Sequence, residues 1–288
     1  MFLLLVSICD ASPLHNLAHL RRRHHHHIAP SVHNATAERR NTVVTYGYGA
    51  VVTNNMYYKN NANGNDGPGV AVDSYTYYSG GPESFPDMSR WISYEAMFTA
   101  NIPLMRQSCG WNNWGPDNTD RQIGWIKNYI QQAARASGVD HRAVLAVIMQ
   151  EVLQHQPFTV LLQAANFGIL VRWMSPLPYY VYQMGRYNGV RNPGLMQSHN
   201  GAEFNPAAPV TTIRQMIIDG TMGTAYGDGL VQLLNRYGNY YKAFRGYNSG
   251  SIAASGDLSN GNGATPCYVS DIANRLLGWT LAPNACRG

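Results

Sequence analysis

The amino-acid sequence predicts a mainly helical domain that begins near residue 84, after a long stretch without a regular hydrophobic period. Three observations favour this fold class: apolar residues recur at helical spacing, capping and glycine stop signals bracket those runs, and strand signals are weak throughout. With 288 residues and 45% hydrophobic side chains, the chain is long enough and apolar enough to form a sizeable core.

Charge is scarce in this sequence and unevenly placed. Charged residues make up 13% of the chain, which is about half the usual share. The first 40 residues hold five arginines against Asp10 and Glu38, so most of the net charge of +5 lies there. A nucleic-acid-binding protein carries its basic charge on a folded face, and no apolar run reaches the roughly 18 residues that span a bilayer. We therefore expect no nucleic-acid partner and no membrane insertion.

The first 20 residues are typical of a secretory signal peptide, because an apolar run over residues 2–8 precedes the small residues Ala11 and Ser12. The charged n-region is missing, so a misplaced start codon or a buried N-terminal strand are the alternatives. The basic His/Arg tail that follows predicts a solvated propeptide with a dibasic processing site at Arg39 and Arg40. Its four adjacent histidines lack the fixed geometry of a metal site. We expect a secreted protein.

Residues 41–82 are rich in Tyr, Gly and Asn and show no sustained period of 2 or 3.6. This composition predicts a flexible low-complexity linker, although its tyrosines could instead stack on sugars. If Cys9 leaves with the signal peptide, Cys109, Cys267 and Cys286 remain, which predicts one disulfide and one spare thiol. We expect residues 84–288 to form one domain.

Capping residues and glycine stop signals predict where the helices of this domain begin and end. Thr119 and Gln122 form a capping box, with Asp120 in the first turn, and Gly138 is a stop signal. Asp140 is placed to cap the next helix. Later helices are predicted over residues 213–219 with a stop at Gly220, over residues 229–236 and 240–247, and over residues 271–277 with a stop at Gly278.

Glu151 breaks the apolar pattern of the helix that follows Asp140. It lies three residues after Ile148 and seven after Val144, on the same side as the apolar stripe. Desolvation there disfavours the charged form of a carboxylate, which suits a general acid. The alternatives are a side chain that swings clear at a frayed helix end, or one that pairs with an arginine.

Three segments occur in the order typical of one protein family. They read Ala-Val-Ile-Met-Gln-Glu at residues 146–151, Asn-Pro-Gly-Leu-Met-Gln-Ser at residues 192–198 and Arg-Gly-Tyr-Asn-Ser-Gly at residues 245–250. Together they resemble the lytic transglycosylase (SLT) and goose-type lysozyme family, in particular its secreted fungal members. The resemblance covers about residues 84–151 and 191–288, and Gly-Leu-Met-Gln is its most specific part.

The resemblance implies an α+β, mainly α-helical, lysozyme-like fold that cleaves the β-1,4 bond of peptidoglycan or a related polysaccharide. Glu151 would be the catalytic acid, and would then act as base on the sugar 6-hydroxyl or on a water. We expect a monomer with no cofactor and no metal. The substrate-binding residues that the resemblance implies are Gly194, Leu195, Met196, Gln197, Tyr247 and Asn248. From the pattern alone, a core aromatic is favoured for Tyr247, and a core filler is the alternative for Met196.

Residues 152–190 depart from the family pattern. Val152 follows Glu151 where the family has serine, and the interval before Gly194 is apolar without caps or a clean period. Two interpretations stand: a mistranslated interval left by a wrong splice boundary, or a lineage-specific substrate lid. A catalytically impaired glycan-binding module is the alternative function, because small displacements of the substrate-binding residues reduce the rate strongly.

Overall fold

The computed structural model describes residues 45–110, 116–153 and 191–286. The predicted signal peptide, the basic tail and residues 154–190 of the atypical interval lie outside the described residues. Within the described residues, two short 3-10 helices, Pro82–Ser84 and Met88–Arg90, precede seven α-helices. In chain order these are α1 (Tyr94–Met105), α2 (Asp120–Ser137), α3 (His141–Leu153), α4 (Pro209–Met222), α5 (Leu230–Tyr237), α6 (Tyr240–Ser249) and α7 (Tyr268–Leu277).

The described part of the chain is mainly helical, as predicted. Within residues 45–110, 116–153 and 191–286 the only β-pairing is one isolated antiparallel bridge between Thr224 and Gly227. Of the predicted α+β class, the helical component is therefore what the structure shows. None of the described helices combines the length and the apolar character needed to cross a bilayer.

Helix α3 lies at the centre of the domain. Every residue from His141 to Glu151 is buried, and the helix packs against α1, α2 and α7. A helix that is apolar on all sides is stable only when neighbours surround it, and burial of each Val, Leu or Ile contributes about 1.5–3 kcal/mol. A carboxylic acid inside this helix is consequently exceptional.

Local capping signals position α2 and α3 as the sequence predicts. The Gln122 N–H donates to Thr119 Oγ1 at 3.3 Å, and the Thr119 N–H donates back to Gln122 Oε1 at 2.7 Å. Gly138 ends α2 with φ +74°, a left-handed conformation that glycine adopts without strain. Asp140 Oδ1 accepts the Arg142 N–H at 2.9 Å at the start of α3. The three predictions are confirmed.

The predicted boundaries of α4 and α7 are wrong. Gly220 lies inside α4, which ends at Met222 and is followed by Gly223. A Cβ at Gly220 would lie 2.3 Å from the Met196 Cβ, so this glycine permits close packing and does not stop the helix. Helix α7 begins at Tyr268, three residues before the predicted start at Asp271.

Residues 45–83 are packed on the domain, so the prediction of a flexible linker is incorrect for this part of the chain. Ala50 and Val52 are 1% and 3% exposed, and the Val52 N–H donates to Ser137 O at 2.8 Å. Further along, the Tyr75 hydroxyl donates to Asp271 Oδ1 of α7 at 2.7 Å. The segment has no hydrophobic period because irregular backbone and polar side chains, not an apolar face, make most of these contacts.

Asn60 makes the central contact between this segment and the helices. Its Nδ2 donates to Val139 O at 2.8 Å and to Ala134 O at 3.1 Å, and its Oδ1 accepts the His141 N–H at 2.8 Å. One amide therefore satisfies backbone groups at the end of α2 and at the start of α3.

Replacing Asn60 with alanine is expected to lower the free energy of unfolding by about 2–3 kcal/mol, since buried backbone groups lose their partners. Chemical denaturation followed by circular dichroism measures the change. Asn55→Ala, at an exposed position of the same segment, is the matched control and should change stability by less than about 0.5 kcal/mol. Equal effects of the two variants would restore the linker interpretation.

Cysteine usage differs from the predicted single disulfide with one spare thiol. Cys267 and Cys286 form a disulfide across 19 positions of sequence and join the start of α7 to the C-terminal segment. Cys109 is also disulfide-bonded, so no cysteine within the described residues is a free thiol. Structural disulfides are typical of oxidising compartments.

Candidate active site

Glu151 lies in the last turn of α3 with its side chain buried. The residue is 1% exposed, and the Tyr268 hydroxyl donates to its Oε1 at 2.7 Å. Burial, and then the charge of Glu151, raise the pKa of Tyr268 well above its usual range, so this hydroxyl stays a donor at physiological pH. Of the alternatives for Glu151, the frayed end does not apply, since the side chain is enclosed and hydrogen-bonded.

Gln150 fixes the end of α3 against α7. Its Nε2 donates to Asp271 Oδ2 at 3.0 Å, and its Oε1 accepts from Arg275 Nε at 2.8 Å. The Arg275 guanidinium also lies over the Trp279 ring, 4.6 Å from its centroid. Burial raises the pKa of Asp271 and lowers the pKa of Arg275 to about 10. This buried polar network holds the backbone on which Glu151 sits.

The segment at residues 192–198 forms a tight turn beside Glu151. Gln197 has φ +47°, its N–H donates to Gly194 O at 3.0 Å, and its Nε2 donates to Glu151 O at 3.3 Å. A left-handed backbone at a residue other than glycine is uncommon and marks sites that the surrounding structure holds in place. Of the predicted residues in this segment, Gln197 is the one that contacts Glu151.

Gly194, Leu195 and Met196, which the resemblance assigns to a sugar site, lie in this turn, and their role toward a sugar stays a prediction. Met196 is 0% exposed and packs against Gly220 of α4, and Leu195 is also buried. Gly194 has φ +82°, and a Cβ there would lie 2.7 Å from Met216 Cγ. Close packing against α4 accounts for Gly194 and Met196. The side chain of Met196 fills the core, which is the alternative that its apolar character alone favours.

Tyr247 and Asn248 lie at the end of α6, next to the same turn. The Tyr247 hydroxyl donates to Met196 O at 2.8 Å; burial, and then the charge of Glu151, raise its pKa. Asn248 Oδ1 accepts from the Arg245 guanidinium and from the Thr265 N–H. The structure therefore brings Gln197 and Tyr247 to the surroundings of Glu151, whereas Asn248 contacts Arg245 and Thr265.

Two residues near Glu151 were not predicted from the sequence, namely Tyr268 and Arg245. Tyr268 lies four residues before Ile272 in α7, so its spacing is that of an ordinary core aromatic. Arg245 is fully buried, and its guanidinium lies 5.9 Å from the centroid of the Tyr268 ring. Burial lowers the pKa of Arg245 to about 10. No periodic signal marks either residue as functional.

A second carboxylate suited to chemistry with Glu151 is not evident among the described acids around it. Asp219 of α4 accepts the Ala202 N–H at 2.7 Å and Gln215 Nε2 at 2.8 Å. Asp271 accepts from Tyr75, Gln150 and Asn284. Both acids are occupied by donors that hold the fold together.

Asp66, Asp140 and His141 lie at the opposite end of α3 and place their metal-ligating atoms within 4.8 Å of one another. His141 Nε2 lies 2.5 Å from Asp66 Oδ2, and Arg142 Nη2 lies 2.6 Å from Asp140 Oδ2. A cation at this position would face the Arg142 guanidinium, which already neutralises Asp140. We assign the group to a buried ion-pair cluster that anchors the start of α3.

If Glu151 is the catalytic acid that the resemblance implies, Tyr268→Phe, which removes the hydroxyl that contacts Glu151, is expected to lower kcat for glycan cleavage about tenfold with little change in KM, because one hydrogen bond to the acid is lost. Steady-state rates on soluble peptidoglycan fragments measure the effect. Tyr241→Phe is the matched control, since this buried hydroxyl donates to Pro86 O away from Glu151. If the two variants have the same kcat, Tyr268 has no part in the reaction.

Comparison of the chain with protein-family models, with curated proteins and with solved structures finds no match.

Proposed function

We propose that this protein is a secreted enzyme that cleaves the β-1,4 bonds of peptidoglycan, on a lysozyme-like fold of the lytic transglycosylase and goose-type lysozyme kind. The observation that carries the proposal is the enclosed Glu151 carboxyl, 1% exposed at the end of a central apolar helix and hydrogen-bonded by Tyr268. A carboxyl group kept away from water is suited to deliver a proton.

The proposed reaction uses Glu151 twice. The Glu151 carboxyl donates its proton to the glycosidic oxygen as the bond from that oxygen to the sugar C1 breaks. The resulting carboxylate then takes the proton of the 6-hydroxyl on the same sugar, whose oxygen bonds to C1 and closes a 1,6-anhydro ring. If a water replaces the 6-hydroxyl, the same steps give hydrolysis and a reducing end. Neither route needs a cofactor or a second carboxylate.

The surroundings of Glu151 support this assignment. Gln197 Nε2 donates to the Glu151 carbonyl oxygen at 3.3 Å, and Tyr247 ties the neighbouring turn to α6 through Met196 O. These contacts bring the segments that resemble the family motifs to the end of α3 that carries Glu151, although the segments lie far apart in the sequence. Polar side chains that gather around one titratable residue are the pattern expected of an active site.

Secretion is part of the proposal and is supported by the cysteines. The disulfide between Cys267 and Cys286 fits an oxidising compartment.

A clearing assay with purified peptidoglycan sacculi tests the proposal. We expect the turbidity of the suspension to fall with time, and the protein to co-sediment with sacculi when cleavage is stopped on ice. Co-sedimentation without clearing would favour the non-catalytic glycan-binding module. If the protein is folded by circular dichroism but neither clears the sacculi nor co-sediments with them, both functions are overturned.

A further inference from the structure

Three tyrosines stay exposed where the start of the described chain crosses α4 and α5. Tyr46 is 40%, Tyr48 69% and Tyr226 67% exposed. The first two belong to the Tyr-rich segment for which sugar stacking is the alternative to a linker, and Tyr226 lies in the loop between α4 and α5. These three residues form what we name the tyrosine surface. None of them is among the substrate-binding residues that the family resemblance implies.

Backbone contacts hold the two N-terminal tyrosines of this surface against the helices. Gly47, which lies between the two, donates its N–H to Met222 O at the end of α4 at 3.1 Å. On the other side, Thr45 O accepts from Gln232 Nε2 of α5 at 2.7 Å. The backbone that carries these rings is therefore fixed, so a ligand that contacts them pays little for ordering the chain.

Each ring of the tyrosine surface lies beside a polar or charged side chain. The pairs are Tyr46 with Asp228, whose Oδ1 accepts the hydroxyl at 3.3 Å, Tyr48 with the Arg214 guanidinium, 5.4 Å from the ring centroid, and Tyr226 with His199, at 6.4 Å between ring centroids. A pyranose packs its C–H face on an aromatic ring while the hydroxyls at its edge bond to polar groups. Exposed rings with polar neighbours therefore suit a carbohydrate ligand.

The tyrosine surface is connected to the turn beside Glu151. Thr224 Oγ1 donates to His199 O at 2.7 Å, which ties the loop that carries Tyr226 to the residue directly after the 192–198 segment. Gln197 of that segment donates to Glu151 O. A polymer bound at Glu151 extends past the residues that contact the acid and crosses neighbouring surface. The contact through His199 makes the tyrosine surface such a neighbour.

We propose that the tyrosine surface is a second carbohydrate-binding site, which holds a strand of a β-1,4-linked N-acetylhexosamine polymer outside the candidate active site. This inference rests on the proposed function and deepens it, because a second site keeps the enzyme on an insoluble wall between cleavage events. Exposed tyrosines also suit protein partners, so a second copy of the chain is the other occupant that the experiment distinguishes.

A double variant, Tyr48→Ala with Tyr226→Ala, removes the two most exposed rings and leaves the hydrogen bond between Tyr46 and Asp228 in place. In the Glu151→Gln background, which prevents cleavage, we expect the Kd for peptidoglycan sacculi to rise about tenfold because two stacking contacts are lost. Co-sedimentation measures this Kd. With Glu151 present, the rate should fall far more on sacculi than on short soluble fragments, which do not reach the second site.

Two further sets of variants make the result specific to the rings. Tyr57→Ala is the matched control, since this tyrosine of the same segment is 52% exposed but lies against Gly138 at the end of α2; its Kd should equal that of the parent. Phenylalanine at both Tyr48 and Tyr226 keeps the rings and should restore binding. Each alanine substitution is also made singly, with an expected rise of about threefold in Kd, so a double variant that fails to fold does not prevent the test.

The outcomes separate this inference from the proposed function. If the Glu151→Gln protein binds sacculi and the alanine variants bind equally well, the second site is overturned while the proposed function stands. If the parent binds sacculi without clearing them and the alanine variants lose binding, the second site stands and the enzymatic function fails. Phenylalanine variants that bind as weakly as alanine variants would overturn stacking. A parent that sediments as a dimer, which the alanine variants dissociate, would assign the surface to a second copy and overturn the carbohydrate site.

Discussion

Glu151→Gln is expected to reduce kcat for peptidoglycan cleavage by about 10³-fold, within the range that general acid catalysis contributes. Glutamine has the shape of the acid and still accepts the Tyr268 hydroxyl, but it has no proton to deliver. Glycan binding and the melting temperature should stay unchanged. Initial rates on soluble peptidoglycan fragments, together with co-sedimentation on sacculi, measure the two properties separately.

Glu95→Gln is the matched control for this variant. Glu95 is a partly exposed residue of α1 that pairs with Lys127, so the same chemical change occurs away from Glu151. We expect normal cleavage from the control. A Glu151→Gln protein that cleaves at more than a tenth of the parent rate would show that another group supplies the proton.

Asp140→Ala is expected to have the largest effect on stability, a loss of about 4 kcal/mol in the free energy of unfolding. The substitution removes the cap of α3, worth about 1 kcal/mol, and breaks a buried ion pair, which costs about 3–5 kcal/mol. Arg142 would keep Asp66 at 4.0 Å and two carbonyl oxygens, which limits the loss. Thermal unfolding should show a drop of roughly 10 °C, at about 2–4 °C per kcal/mol for a domain of this size.

Asp120→Ala tests whether the burial of the Asp140 ion pair causes the large loss of stability. Asp120 pairs with Arg106 at 2.7 Å, but the two side chains are 74% and 52% exposed, and exposed pairs contribute about 0–1 kcal/mol. The control should therefore lose less than about 1 kcal/mol. If the two aspartate variants lose similar amounts of free energy of unfolding, burial adds no stability to the cluster at the start of α3.

The helices of this domain were predictable where their ends carry chemical signals. The capping box at Thr119 and the left-handed glycine at Gly138 act within one turn, so neighbouring residues determine them. Gly220 misled the prediction because its role is set by Met196, which is distant in sequence and touches it only after folding. The segment at residues 45–83 was missed for the same reason, since Asn60 contacts helices that follow much later in the chain.

The candidate site was predictable only in part. Glu151 could be singled out because a carboxylate on an apolar helix face violates the hydrophobic pattern, and the structure places it in the core. Tyr268 and Arg245 follow no such rule, since a tyrosine at core spacing and an arginine within a helix are both ordinary. Met196 was assigned to a sugar site by resemblance, whereas its side chain fills the space beside Gly220.

Mass spectrometry of the soluble products released from peptidoglycan sacculi tests most directly whether Glu151 delivers the proton that breaks the glycosidic bond. The parent protein should release fragments that end in 1,6-anhydro sugars, or fragments one water heavier if hydrolysis prevails. Glu151→Gln protein at the same concentration should release neither. Intact glycan after incubation with a folded, glycan-binding parent protein, or the same fragments at the same rate from Glu151→Gln, would contradict the role of this acid.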